Sequence, residues 1–596
     1  MARTPILTSL IVNQAEQNPN EPVLHRLTNA EAGVWSPITR REFHESVMRV
    51  AVGLMQLGVG VQQCIGVLSE NRPELIMTDF AAWQIRAIPV GIYSTSSPEQ
   101  VAFIVKDASI TTLIVGSQRH YRVARDLKVP HIVVLDPTVE RDVDDRTSIL
   151  FSELGKGMDP AVVAPITAEA DVDDIATLVY TSGTTGEPKG AILCHSNFDT
   201  AMTIHRGRLN FLSSADSSLC FLPLSHVFEK AWSYFCIYMG MQVYVNQDPL
   251  RVQQSLRETH PTCMCSVPRF WEKVYAIVNH KIEQMNPLSR ALSHRALKVG
   301  HRRNIDYRRL GKKVPALLEW EYQLFDRLIY TKLKRVIGVE RGVLFPTAGA
   351  PIAQEIVDFC RSVDIRMVGG YGLSETTATV TCFPEVGYEL ASVGTVMPEV
   401  NMRINPADNE IQVKGATVMK GYFNRPKETA EAFTEDGWFK TGDAGRIDEN
   451  GSLYITDRLK DLFKTSNGKY VAPQAIETRL CTDPLIEQVA VIGDKRKYVS
   501  ALIVPDYAAL HQWAQTEGID STNEELAKNP RVIALITERV EALLADFAAY
   551  ERVKYFTLLP KPFTMADGEL TNTLKMRRKV VAERYADAIN AMYPKD

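Results

Sequence analysis

No CxxC pair occurs in this sequence, and its nine cysteines, at 64, 194, 220, 236, 263, 265, 360, 382 and 481, are scattered and odd in number. That argues against a disulfide scaffold, and the CxC at Cys263 and Cys265 falls short of the four ligands of a structural zinc site. The cysteines read as reduced thiols of a cytosolic protein, mostly buried. Also missing is any uncharged apolar run near the ~20 residues that a membrane span needs. The N-terminal stretch turns polar after a short apolar segment and lacks the small-residue cleavage site of a secretory signal. The chain is expected to touch a membrane at most, not to cross one. No excess of one charge exists either: 67 Lys and Arg against 71 Asp and Glu leave a net −4. A dedicated nucleic-acid or other polyanion binder is therefore disfavoured. There is no repeat, no low-complexity segment and no Walker A loop. The one approach to GxGxxG, at Gly58 and Gly60, has Gln63 in place of the third glycine.

What is present is ordinary globular material. Of 596 residues, 45% are hydrophobic, 23% charged and 8% aromatic, enough for a large core. At roughly 150 residues per domain the length corresponds to about four domain equivalents. The first part alternates strand-like and helical patterns: Cys64–Leu68 (strand), Pro73–Ile85 (helix), Ala87–Ile92 (strand), Ser97–Asp107 (helix), then the β-branched runs Thr112–Val115 and His131–Leu135. Such alternation predicts α/β layers with largely parallel strands. Residues 280–341 differ. They read as mainly helical and hold 15 Lys/Arg against 6 Asp/Glu, with dense basic runs at 301–303, 308–309 and 312–313. This is a solvated helical face or a surface for anionic lipid or cofactor phosphates. Toward the C-terminus, Gln488–Ile492 and Tyr498–Val504 form a hairpin candidate. Helical patterns follow over Asn523–Asp546 and again after Met576, suggesting a small separate α+β domain.

The sharpest local signal is YTSGTTGEPKG at 180–190, behind the apolar strand Ile175–Tyr180. Thr181, Ser182, Thr184 and Thr185 supply hydroxyl donors. Gly183 and Gly186 let backbone N–H groups turn toward an anion, and Lys189 adds charge. The chemistry suits a polyphosphate. Further constellations follow in order: FLPLSHVFE at 221–229, TAGAP at 347–351, GGYGLSETT at 369–377, GWFKTGD at 437–443, DRLKDLFK at 457–464, SNGKYVAPQAIE at 466–477 and LTNTLKMRR at 570–578. Taken singly, His226 among apolar neighbours reads as a packed histidine, and Glu375 as a surface carboxylate. Trp232 and Phe235 fit an acyl pocket or a packed core equally.

Together these strings resemble the adenylate-forming superfamily of acyl-CoA synthetases, adenylation domains and luciferases, and within it the bacterial long-chain fatty acyl-CoA synthetases. The similarity runs from about residue 20 to residue 580. It implies an α/β fold. A large N-terminal domain of layered α/β subdomains (1–457) would bind nucleotide and acid, a hinge would lie at 458–461, and a small mobile α+β domain would follow (462–596). The implied reaction is ATP-dependent activation of a long-chain fatty acid to acyl-CoA through acyl-AMP, releasing pyrophosphate and AMP. The alternative acceptor is a separate carrier protein.

Carried over position by position, the resemblance gives Lys575, His226 and Lys464 catalytic roles. It assigns ATP or AMP binding to Thr181, Ser182, Gly183, Thr184, Thr185, Gly186, Lys189, Gly349, Ala350, Pro351, Gly370, Tyr371, Gly372, Thr376, Asp443 and Arg458. In that scheme the Gly370 and Gly372 region admits the nucleotide closely, Tyr371 offers a flat face to a purine, Thr376 donates to phosphate, and Asp443 accepts from both ribose hydroxyls. Glu375 and Thr181 are the implied Mg2+ ligands, because a lone carboxylate beside a triphosphate calls for a cation. Lys460 is the implied hinge, and Ser466, Gly468, Lys469 and Tyr470 lie on the coenzyme A side. Long-chain members carry Thr-Pro-Thr where this chain has Asn572, which bears on the order of the lysine loop. Oligomerisation and peripheral membrane contact on the cytoplasmic face are compatible with the pattern.

Overall fold

Five short apolar runs in the first 180 residues become neighbours in one seven-stranded sheet. A computed structural model describes residues 4–181, 187–459, 461–467, 469–565, 567–571 and 575–593. In it the sheet runs Ser148–Leu150, His131–Val134, Thr112–Val115, Cys64–Leu68, Ile88–Ile92, Ile175–Thr181, Lys189–Cys194. All neighbouring pairs are parallel except the last. Every residue of Cys64–Leu68 and Thr112–Val115 is buried, as expected where helices cover both faces of a parallel sheet. The crossover helices fall close to the predicted ranges, at Pro73–Gln84 and Pro98–Asp107. The second is opened by Ser97 in a reciprocal capping box with Gln100. The final strand turns back antiparallel, with Thr181 opposite Lys189. The phosphate-loop string thereby begins on one strand and ends on its antiparallel neighbour at this sheet's edge.

A second sheet orders Ser217–Cys220, Gln242–Val245, Pro22–Asn29 and Val34–Thr39. Single bridges through Cys263 carry it toward Phe345–Thr347, which pairs with Met367–Tyr371. The main core lies around these sheets and holds Phe80, Trp83, Tyr234, Trp271 and Phe345. Trp232 and Phe235 belong to it; the Trp232 Nε1 donates to Ser218 Oγ at 2.9 Å. An antiparallel sheet follows, Val400–Ile404, Glu410–Gly415, Phe439–Ile447 and Leu453–Arg458, with its own small core. All nine cysteines are free thiols. Seven are buried, and burial pushes the Cys64 thiol up to about 12.

The basic segment is helical as expected: Pro268–Glu283, Pro287–His301, Ala316–Phe325 and Thr331–Ile337, linked in part by π-turns. Its arginines do not form one solvated cluster, however. Arg303 is buried, donates twice to Glu319 at 2.8 Å and stacks 3.8 Å over Tyr322. Arg309 turns inward to the carbonyls of Ile305 and Tyr388 and to Glu389. Arg302 and Arg308 remain exposed.

The C-terminal part is the expected α+β unit. Ile486–Ile492 and Ser500–Pro505 pair as a hairpin, and Tyr555–Leu558 adds a parallel strand. The helix expected over Asn523–Asp546 is divided into Asn523–Leu526 and Pro530–Leu543. Pro530 has no N–H to continue the first helix and is suited to start a second, which Asn529 caps. Among the described residues no helix is long and apolar enough to cross a membrane.

Candidate active site

Two strand ends and the middle of a third strand bring the central nucleotide candidates together. Tyr371 ends its strand and donates to Asp443 Oδ2 at 2.7 Å. Asp443 and Arg458 are partners across an antiparallel pair, and Arg458 Nε lies 3.5 Å from Asp443 Oδ1. Burial raises the Asp443 carboxyl above its ordinary value, while Arg458 and the Tyr371 hydroxyl work against that rise. Each carboxylate oxygen has one partner and keeps further acceptor capacity, which two vicinal hydroxyls can use.

Lys575 reaches this cluster from the C-terminal part of the chain. Its ammonium is pushed down to about 8, chiefly by burial and then by Arg458; Asp443, Glu375 and Asp461 pull the other way. The backbone there is a tight closure: Thr571 N donates to Lys575 O at 2.7 Å, Lys575 N donates to Thr571 Oγ1 at 3.0 Å, and Leu570 bridges Met576. The Asn572 question lies outside the described residues.

His226 lies within the same electrostatic neighbourhood. It caps the helix Val227–Tyr238, its Nδ1 accepting from Phe228 N at 3.2 Å. That bond leaves the ring proton on Nε2, so neutral His226 keeps one donor. Burial, then the Lys575 charge, lowers the imidazole to about 4. The loop that presents it is clamped by groups the motifs did not reveal. Asn71 donates to Leu222 O at 2.7 Å and accepts from Leu224 N at 2.9 Å. Glu229 is fully buried, accepts from Leu222 N and Ser233 Oγ, and is raised by burial to about 8. One turn on, Lys230, Asp79 and Tyr234 form a buried triad at 2.6–3.1 Å.

On the phosphate side, Lys189 Nζ sits 5.2 Å over the Tyr422 ring, and the Tyr422 hydroxyl donates to Glu375 Oε1 at 2.8 Å. Tyr422, absent from the sequence-based set, thus couples the loop lysine to the candidate metal carboxylate. Glu375 is largely buried and retains Oε2 as a hard donor. Among the described residues no group of three or more His, Cys, Asp or Glu could hold a metal. A lone carboxylate such as Glu375 is a ligand that fits a magnesium ion completed by nucleotide phosphates. Thr181 Oγ1 is 3.4 Å from Lys189 O. Ser182, Gly183, Thr184, Thr185 and Gly186 lie outside the described residues.

Two positions within GGYGLSETT are engaged by the chain itself. Thr376 is fully buried, and its hydroxyl bonds within its own turn, accepting from Leu373 N at 2.9 Å with Leu373 O at 3.1 Å. A Cβ on Gly372 would stand 1.5 Å from Ala378 O. The close approach there is to the chain's own backbone. Gly370 is less constrained, with Thr381 O at 3.2 Å. By contrast the 347–351 turn is open: Gly349 has φ +95 and nothing near its Cβ position, and Ala350 and Pro351 are exposed.

The coenzyme A candidates stand apart. Lys464 and Tyr470 pair in a short hairpin, with Lys464 Nζ 5.3 Å over the Tyr470 ring, and Lys464, Ser466, Lys469 and Tyr470 are all exposed. Beside them is a cavity of about 660 Å3 lined by Lys469, Lys497, Tyr498, Tyr550, Arg552 and Lys554, among others. Lys460 and Gly468 lie outside the described residues.

The model of the AMP-binding enzyme family matches residues 11–423, and that of the AMP-binding enzyme C-terminal domain matches 460–596. The chain belongs to the AMP-binding enzyme family. This AMP-binding enzyme is 33% identical to long-chain-fatty-acid–CoA ligase FadD15 of Mycobacterium bovis, over 99% of the chain and 97% of the relative. It is 30% identical to peroxisomal long chain acyl-CoA synthetase 6 of Arabidopsis thaliana, over 91% and 79%. Its fold is shared with the A domain of carboxylic acid reductase from Segniliparus rugosus, solved with AMP and a co-purified carboxylic acid. There the TM-score is 0.75 at 20% identity, covering 98% and 94% of the two chains, a likeness that speaks to the adenylate-forming fold alone.

Proposed function

We propose that this AMP-binding enzyme is a long-chain fatty acid–CoA ligase that works through an acyl-AMP intermediate. The observation that carries the adenylation reading is Lys575 against Asp443, Glu375 and His226. Near-full-length identity to FadD15 supports coenzyme A as acceptor and a long-chain acid as substrate.

In the first step a carboxylate oxygen attacks the α-phosphorus of ATP and pyrophosphate leaves. Two anions must meet, so the Lys575 ammonium offsets charge that grows as the bond forms. Neutral His226 offers Nε2–H to the same oxygens without adding charge. Asp443 and Arg458 fix the ribose, Tyr371 steadies Asp443, and the exposed 347–351 turn borders the adenine. Lys189 holds the departing phosphates. Glu375 and Thr181 would hold Mg2+, whose bound form supplies further charge neutralisation on the phosphates. Lys575 then withdraws as the C-terminal domain turns about Lys460. The hairpin carrying Lys464 takes its place, and the thiol of coenzyme A displaces AMP from the acyl carbonyl. The basic and aromatic cavity beside Lys469 suits the nucleotide end of coenzyme A. The enzyme is read as cytoplasmic, touching the inner face of a membrane.

The test is product analysis with saturated acids of increasing length, ATP and either coenzyme A or an acyl-carrier protein. Equal yields of acyl-CoA, AMP and pyrophosphate, greatest for long chains, are expected. Acyl transfer to the carrier with none to coenzyme A would overturn the acceptor.

A further inference from the structure

One short segment touches both sides of the phosphate site. Residues 419–425 lie along the strand Lys189–Cys194 that returns from the phosphate loop. Phe423 N donates to Gly190 O at 2.8 Å, Ile192 N donates to Gly421 O at 2.9 Å, and Lys420 N donates to Ile192 O at 3.1 Å, with Ala191 and Tyr422 as bridge partners. The same segment holds Glu375 twice. Met419 N donates to the Glu375 carbonyl at 2.7 Å, and the Tyr422 hydroxyl donates to Glu375 Oε1 at 2.8 Å. Its far end reaches the strand that enters the loop. Arg425 pairs with Asp107 at 3.1 Å, Asn424 Nδ2 donates to Asp107 O at 2.9 Å, and Asp107 Oδ2 accepts from the Tyr180 hydroxyl at 2.7 Å. Asp107 ends the helix Pro98–Asp107, where negative charge is disfavoured, and Arg425 offsets it. Both legs of the loop and the Glu375 carboxylate are thus tied to one piece of chain, and Tyr422 sits where the ties meet. Lys189 Nζ lies 5.2 Å from its ring centre, within the range of cation–π attraction. Its own amide donates to Thr429 Oγ1 at 2.9 Å.

We infer that Tyr422 is a positioning residue for the polyphosphate and its metal ion, its ring holding Lys189 and its hydroxyl holding Glu375 at a set span. The two halves of the side chain act separately. A lysine loose in an open loop samples many rotamers, and ordering it when phosphate binds costs entropy. Holding the ammonium over the ring removes part of that cost beforehand. The hydroxyl engages one carboxylate oxygen by donation and leaves Oε2 for a hard cation. Phenylalanine has the ring without the donor, and an aliphatic residue has neither, so the two parts can be removed one at a time. The inference rests on the adenylation reading for what enters the site, and it adds the residue that sets the spacing there.

The test is calorimetric titration of the full chain with ATP at several free Mg2+ concentrations, with neither acid nor coenzyme A present. Tyr422→Phe should need about tenfold more Mg2+ for half-maximal enhancement of ATP binding, the scale of one hydrogen bond to a charged acceptor. Without Mg2+ it should bind ATP as the native chain does. Tyr422→Leu loses the ring as well, and its metal-free ATP affinity should fall about threefold, the scale of one partly exposed cation–π contact. Thioester formation from supplied acyl-AMP involves no polyphosphate, so both variants should keep it, whereas loss of a merely structural residue would impair both half-reactions together. Because the titration contains neither acid nor acceptor, a failed ligase assignment leaves the binding ratios in place, and the two failures read out separately. An unchanged Mg2+ requirement in Tyr422→Phe, equal metal-free ATP affinity in Tyr422→Phe and Tyr422→Leu, or a loss of thioester formation as large as the loss of pyrophosphate release would each overturn the proposal.

Discussion

Raising the pH through 8 should stop adenylation by neutralising Lys575. Its ammonium titrates near 8 because burial and Arg458 outweigh Asp443, Glu375 and Asp461. About nine-tenths of the side chain is charged at pH 7 and about one-tenth at pH 9, so kcat/KM for ATP should fall roughly tenfold over that interval, since this ratio reports the free enzyme. Saturating ATP brings negative charge to the ammonium and should move the alkaline limb of kcat to higher pH. Stability has the opposite slope. The folded value lies below the ordinary 10.5, so between the two the unfolded chain binds more protons, and the contribution of Lys575 to stability rises with pH. Loss of activity in that window is therefore not loss of fold. The comparator is Lys575→Arg, whose guanidinium stays charged throughout; its rate should be lower but flat with pH. The assay is acid-dependent pyrophosphate release without coenzyme A, beside thioester formation from supplied acyl-AMP, which needs no Lys575. An alkaline limb shared by native enzyme and Lys575→Arg, or a native profile flat beyond pH 9, would refute the reasoning.

Asp79→Ala should destabilise the N-terminal part by about 3–5 kcal/mol in urea unfolding, because it leaves the Lys230 ammonium buried without its counter-charge; the pair is 2.6 Å long and nearly inaccessible. Replacing both, Asp79→Leu with Lys230→Met, should recover most of that loss, and a single-variant cost below about 1 kcal/mol would mean that water reaches the pair. Gly372→Ala should lower soluble yield and thermal midpoint even without nucleotide, because the new methyl meets the Ala378 carbonyl at 1.5 Å; a native midpoint with only ATP affinity reduced would restore Gly372 to the nucleotide.

Much of this was legible in the linear pattern, and the exceptions share a cause. Continuous β-branched runs located the parallel strands to within a residue or two, because a strand buried on both faces has no other composition open to it. Ordered motifs named Asp443, Arg458, Tyr371 and Lys575, which the fold brings into one neighbourhood. Direction was not legible. Counting charge over 280–341 gave the right excess, yet it did not show that Arg303 and Arg309 point inward. That Leu317, Trp320 and Leu324 face solvent was not legible either, because only tertiary packing decides which side of an amphipathic helix is covered. Asn71, Glu229 and Tyr422 were missed because their partners are distant in sequence or backbone atoms, neither of which leaves a local signature. The break before the helix Pro530–Leu543 is different: Pro530 was a readable start signal, overridden by the apolar periodicity on either side.

The two lysines assigned to the two half-reactions belong to one C-terminal unit, and their positions argue that they act in turn. Lys575 is at the cluster with Asp443, while the hairpin with Lys464 is exposed. The unit has its own core, built on Val489, Ile503 and Ile536; if it turns as one body, as proposed above, bringing Lys464 inward takes Lys575 out. The ion pairs that resist that turn are weak. Among the described ion pairs, two join the C-terminal unit to the rest, Arg479 with Glu355 and Arg269 with Glu487, and all four side chains are about a third exposed or more. Exposed pairs contribute between nothing and about 1 kcal/mol each, so separating both costs on the order of 1–2 kcal/mol. Charge in the site weighs at least as much. While pyrophosphate is bound, the Lys575 ammonium has an anion to hold it. Once pyrophosphate leaves, burial and Arg458 again oppose its charge, and the arrangement loses its main electrostatic support. On the proposed mechanism, product release would thereby favour the turn that admits the second substrate.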